Sequence, residues 1–170
     1  MSEATEAVAG PPSSHELFDT QAGFDEAVDR LLAQTGRELR IFDPDLVALR
    51  LNAPARVAQL ERFLGASRTR RLYIALHDPE PVTKFCPRML VLLKRYAHAI
   101  QVQRTQEEIR ELRDAFLVLD TADFVRRPEA SSRRGVIGLG DRVEAYAMRS
   151  RFEEIWAASY PAVSPTTLGI

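Results

Sequence analysis

Three carboxylates and one imidazole stand where apolar runs give way to polar residues. Asp43 follows Leu39-Arg40-Ile41-Phe42, His77-Asp78 follows Leu72-Tyr73-Ile74-Ala75-Leu76, and Asp120 follows Phe116-Leu117-Val118-Leu119. A histidine at the end of a strand in an open α/β sheet lies where such sheets place their ligand crevice, and it can take or give a proton near neutral pH. It can equally cap the next helix. Asp43 and Asp45, joined by Asp78 and Asp120, would form an acidic cluster at one sheet edge able to hold a magnesium ion. The plainer reading is turn formation, for which aspartate is a favoured residue. Arg104, Arg113, Arg126, Arg127, Arg133 and Arg134 all lie in or beside the last strands and their loop. Guanidinium groups that converge would grip a phosphate through charge-assisted, paired hydrogen bonds; those that do not would be solvated.

The elements that must position these groups follow from periodicity. Phe24, Ala27, Val28, Leu31 and Leu32 recur on one face of a helix that stops at Gly36. After the short strand at 39–42 and a helical turn at 46–51, Asn52 is expected to cap a second helix lined by Val57, Leu60, Phe63 and Leu64. Residues 71–76 read as a central strand, and Val82 to Tyr96 as a helix broken or begun at Pro87. Residues 99–104 form a third strand. Residues 114–119 and 124–127 read as a hairpin, 135–139 as one further strand. Val143, Tyr146, Ala147, Phe152, Ile155 and Trp156 build a closing helix begun at Asp141. The order predicts an α/β fold, a mixed β-sheet with helices on both faces. A single domain is expected over 20–159, with an irregular lead-in at 1–19 and a tail at 160–170, whose Leu168-Gly169-Ile170 could tuck back on the body.

A strand ending in Asp120, a turn, a returning strand and a helix closing on Phe152-Glu-Glu-Ile-Trp156 resemble one half of the phospholipase D superfamily. Members carry His-x-Lys-x-x-x-x-Asp in this region. The resemblance implies a histidine nucleophile that forms a phospho-enzyme, a lysine that stabilises the phosphoryl oxygens, and an aspartate that orients the histidine. With Asp120 on the aspartate, Arg113 falls on the histidine and Ala115 on the lysine. A guanidinium cannot lose its proton at working pH, and alanine brings no charge. The resemblance therefore implies a fold of this kind without its nucleophile. More loosely, the Phe42-Asp43-Pro44 strand end and the 152–156 helix are similar to an uncharacterised bacterial phospholipase D-like domain, found alone or fused behind GNAT-type acetyltransferases. No acetyltransferase signature is present, so a link to acetylation would act through a partner.

Composition narrows the function classes. Apolar residues make up 45% and charged residues 28%, the balance of an ordinary globular chain, and the net charge is -1. No global field draws the protein to nucleic acid or an anionic membrane. One cysteine, Cys86, excludes an internal disulfide, and three scattered histidines do not suggest a zinc site. Gly135-Val-Ile-Gly138-Leu-Gly140 looks like a phosphate loop but lacks the full spacing. Tyr73, Tyr96, Tyr146 and Trp156 read as core. No membrane-length run or signal peptide is seen, so a cytoplasmic protein is expected. The expected function is a non-catalytic binding or regulatory module for an anionic, phosphate-bearing ligand or a protein partner. Its candidate ligand residues are Asp43, His77, Asp78, Arg104, Arg113, Asp120 and Arg126, with no catalytic residue, metal or cofactor. Two other readings stand beside it: a metal-assisted hydrolase using His77 and the strand-end aspartates, and a structural homodimer.

Overall fold

The computed structural model describes residues 13–163. Its spine is an eight-stranded sheet in the order β1-β7-β6-β5-β2-β3-β4-β8. The central strands are β2 (Glu38–Asp43), β3 (Arg71–Leu76) and β4 (Ile100–Thr105), which run parallel because helices connect them. The crossovers contain α2 (Pro54–Gly65), then α3 (Glu80–Phe85) and α4 (Pro87–Arg95), the latter two divided at Cys86-Pro87. Proline at the first position of α2 and of α4 gives up an N–H that a helix start does not need.

Antiparallel strands complete both sides. β5 (Ala115–Leu119) lies against β2, and β6 (Asp123–Arg127) and β7 (Gly135–Leu139) continue outward as a meander. The sheet alternation divides the side chains between two layers. On one face, α1 (Gln21–Leu32), α2, α3 and α4 cover Leu39, Ile41, Leu72, Ile74, Leu76, Leu117 and Leu119. On the other, α5 (Arg142–Ala157) alone covers Phe42, Ala75, Phe116, Val118 and Phe124. The mixed sheet with helices on both faces is the expected fold, with the coverage strongly unequal.

Several local readings change. Ser14–Phe18, expected to be irregular, pairs with β7 as strand β1, and Ser159–Val163 pairs with β4 as β8. Both are edge strands, paired on one side, so neither needs the apolar alternation that marks a buried strand. Pro161 is tolerated there for the same reason. The segment Leu168–Ile170 lies outside the described residues. Asn52 does not cap α2, whose cap position is Ala53; its side-chain oxygen accepts from Arg88 N at 3.0 Å and caps α4. On α5 the buried residues are Ala145, Met148, Phe152 and Ile155, while Val143 and Tyr146 face solvent. The glycines at 135–140 serve packing. A β-carbon on Gly138 would stand 2.4 Å from the Phe124 ring, and Gly140 turns the chain at φ 72°.

Candidate functional site

The parallel strands point their carboxyl ends toward the side of the sheet where β5 begins and β6 ends. Asp43, His77, Arg104, Arg113 and Arg127 therefore gather at one end. Alternation then separates them by face. Asp43 and Arg127 fall on the α1 side. Arg127 Nη2 donates to Asp43 Oδ1 at 2.6 Å, and the pair is sealed from solvent at 5% and 2% exposure. The second carboxylate oxygen accepts from Leu46 N at 2.8 Å and Asp45 N at 3.3 Å, holding Leu46 at a positive φ of 67°. Burial pushes the Asp43 carboxyl up from its ordinary value, against the opposing pull of Arg127 and these two amides. Arg127 also donates to Ala130 O at 2.9 Å and stands 4.4 Å above the Phe24 ring. Both Asp43 oxygens and one bond from each terminal nitrogen of Arg127 are thus committed to structure.

His77 lies on the α5 side, edge-on to Phe42 with ring centroids 5.3 Å apart. Its Nε2 is 2.8 Å from Leu112 O and its Nδ1 2.6 Å from Thr105 Oγ1. A carbonyl can only accept, so Nε2 carries the proton, and in the neutral ring Nδ1 accepts from the Thr105 hydroxyl. Both nitrogens tie β3 to β4 and to the segment before β5; neither is offered to a substrate. Arg104 Nε donates to His77 O at 3.3 Å. Asp78 is exposed and accepts from Glu80 N at 3.0 Å, a local turn at the start of α3. Asp114, which sequence reasoning passed over, is buried and takes a two-pronged grip from Arg151 of α5, at 3.0 and 2.7 Å.

Asp120 stands at the opposite end of the sheet. In the left-handed region at φ 52°, it accepts from Arg37 N and Glu38 N, both at 2.9 Å, and fixes the start of β2. The acidic cluster of Asp43, Asp45, Asp78 and Asp120 is therefore not assembled, and His77 and Asp120 do not share a pocket as a hydrolase built on both would require. Among the described residues, no group of three or more His, Cys, Asp or Glu side chains is placed to hold a metal ion. Arg126 falls on the α5 face, between Phe116 and Val136 in register. Arg113 is exposed just before β5, and its carbonyl accepts from Ala130 N at 2.6 Å.

That bond draws the 128–134 loop over the sheet end and leaves a polar recess of about 160 Å³ between the loop and α1. Gln21, Phe24, Arg127, Ser131, Ser132 and Arg133 line it. Arg133 and Arg134 are exposed and, like Arg113, form no ion pair among the described residues. The serines and Gln21 carried no periodic or motif signal; only the chain's return over α1 brings them together.

A mixed sheet of this order, helices massed on one face and a single long helix on the other, defines a phospholipase D-like fold. Nuc from Salmonella typhimurium, a phospholipase D family member, superposes with a TM-score of 0.59 at 11% identity, over 90% of this chain and 100% of that one. NucT from Helicobacter pylori gives 0.58 at 11% identity, over 89% and 100%. TrmBL2, an archaeal chromatin protein whose structure shows a novel mode of DNA binding, gives 0.64 at 10% identity, over 92% of this chain and 57% of that one. At such identities the likeness is one of fold. No curated protein matches the chain. The chain belongs to the family described as "Domain of unknown function (DUF7931)", matched over residues 20–165. No helix among the described residues is long and apolar enough to cross a membrane.

Proposed function

We propose that this chain is a phospholipase D-like binding module that holds a phosphate-bearing ligand at the Arg113 end of its sheet and does not cleave phosphodiesters. The observation that carries the reading is the recess beneath the 128–134 loop. It combines the Arg133 guanidinium and the Ser132 hydroxyl with Arg127, whose own charge Asp43 already balances. Its volume is several times the ~30 Å³ share of one water, which accommodates a phosphate group. Arg113 and Arg134 are exposed on the segments that flank it, and Glu129, which accepts from Ser131 Oγ at 3.1 Å, opposes their charge. Hydroxyls and guanidinium groups together suit phosphate oxygens, which only accept.

The absence of cleavage rests on position 113. Where the resembled superfamily needs an imidazole, arginine offers no lone pair for attack at phosphorus, and buried Ala115 offers no charge. The nearest histidine, His77, has both nitrogens engaged. TrmBL2 is a relative in fold that binds DNA, which makes a nucleic-acid backbone one admissible source of the phosphate.

Calorimetric titration with pyrophosphate tests this. Saturable heat is expected, with affinity falling about tenfold or more in Arg133→Ala, the scale of one lost charge-assisted hydrogen bond. Arg68→Ala, remote from the recess, should leave binding unchanged. Equal binding by Arg133→Ala, or no heat from the unmodified protein, would remove the reading.

A further inference from the structure

The face carrying α5 holds a second concavity, unrelated to the recess, which lies on the opposite face. Because α5 alone covers that layer, a strip of sheet beside its carboxyl-terminal half stays open. The cleft so formed has a volume of about 240 Å³ and is lined by Arg40, Tyr73, Phe152, Glu153, Trp156 and Ala157. Tyr73 and Trp156 meet edge to face, 5.7 Å between centroids at 78°, and Phe152 stacks on Trp156 at 24°. These aromatics are only partly a core.

Arg40 is the unusual member. It is 7% exposed, and its guanidinium carbon stands 5.3 Å from the centre of the Tyr73 ring. Its Nη2 donates to Glu38 Oε2 at 2.8 Å, but Nη1 is buried and finds no acceptor among the described residues. Buried donors are nearly always paired, since an unpaired one carries its full desolvation penalty. The site therefore lacks one acceptor.

The surrounding charges say which kind. Glu38 answers Arg40, and Arg149 lies 4.0 Å from Glu38 and 3.4 Å from Glu153. Two guanidinium groups and two carboxylates cancel. An incoming carboxylate or phosphate would gain no net attraction and would face both glutamates. A neutral carbonyl oxygen meets Nη1 without that repulsion. The aromatic walls favour a flat, electron-poor ring, which stacks on tyrosine and tryptophan.

We infer that the Arg40–Tyr73–Trp156 cleft binds a flat heteroaromatic ring bearing a neutral carbonyl, a ligand of the nucleobase class. Arg40 Nη1 donates to the carbonyl, and Tyr73 and Trp156 supply the stacking surface.

Trp156 is the chain's single tryptophan, so its fluorescence reports the cleft directly. The full chain is titrated with inosine and uridine, which present ring carbonyls, with adenosine, which presents none, and with benzoate, which presents a charged acceptor. Saturable quenching by inosine and uridine is expected, with adenosine and benzoate each weaker by about tenfold or more. Arg40→Met, checked for retained fold by circular dichroism, should abolish the preference of inosine over adenosine; the ligand series on the unmodified protein decides the matter if that variant unfolds. Equal quenching by adenosine and inosine, stronger binding of benzoate, or no quenching at several millimolar nucleoside would overturn the inference.

Discussion

At the scale of single residues, the most committed groups are the charged ones beneath the sheet end. Asp43 neutralises Arg127 out of contact with water, so removing either leaves the other's charge buried and unanswered. Asp43→Asn should lower stability by about 3–5 kcal/mol in urea unfolding, the range for breaking a buried pair. A loss under about 1 kcal/mol, typical of an exposed pair, would show the burial to be wrong. The sequence placed Asp43 at a strand end but gave no hint of a partner 84 positions away. His77 is a similar case: its strand-end position was legible, whereas engagement of both nitrogens depends on Thr105 and Leu112, distant in sequence. Asp141 is a residue whose role was readable, since an aspartate before an apolar helical pattern caps it. Its carboxylate accepts from Glu144 N at 3.1 Å and pairs with His15 at 2.6 Å, and these bonds, the amide first, hold its pKa below the ordinary 3.8. A lowered folded-state pKa favours the ionised form in the native protein. Its stabilising contribution is complete above that ordinary value and is lost as pH falls through the lowered one. Melting temperature followed through this acid range should fall less steeply in Asp141→Asn than in the unmodified chain; identical slopes would contradict the assignment.

At the scale of elements, periodicity found what was buried on at least one face. Strands β2 to β7 were legible because Leu39–Phe42, Leu72–Leu76 and Phe116–Leu119 pack against helices on both sides of the sheet. The edge strands β1 and β8 were not, because exposed residues such as Leu17, at 83%, and Tyr160 carry no alternation. The α5 stripe was misread for a related reason: a wide helical face offers several apolar settings, and only the sheet decides that Met148 and Ala145 turn inward rather than Tyr146. Asn52 shows how a correct residue type can serve the wrong helix in a local reading. It follows a short helical turn and precedes α2, yet its acceptor reaches 36 positions on to Arg88 at the start of α4. Asn52→Ala should cost about 1 kcal/mol, the value of an N-cap, and should raise amide exchange at Arg88 and the first turn of α4 while leaving α2 unchanged. Faster exchange confined to α2 would restore the local reading.

At the scale of the whole molecule, the sheet sorts its chemistry by end and by face. The Arg113 end carries two ion pairs, the buried Asp43–Arg127 on one face and the half-exposed Asp114–Arg151 on the other, with the polar recess over the first. Asp120 anchors the far end through two backbone amides. Sequence reasoning reached the fold through element order, but it could not assign residues to ends, which is why it grouped Asp120 with His77. The proposal of binding without cleavage hangs on the resemblance that sets Arg113 and Ala115 at the positions of the histidine and the lysine. Phosphorus NMR of the protein mixed with a simple phosphodiester measures both halves together. Broadening or shift of the intact diester resonance, with no monoester signal appearing over days, is the predicted outcome. A growing monoester signal that disappears in Arg113→Ala or His77→Ala would contradict it.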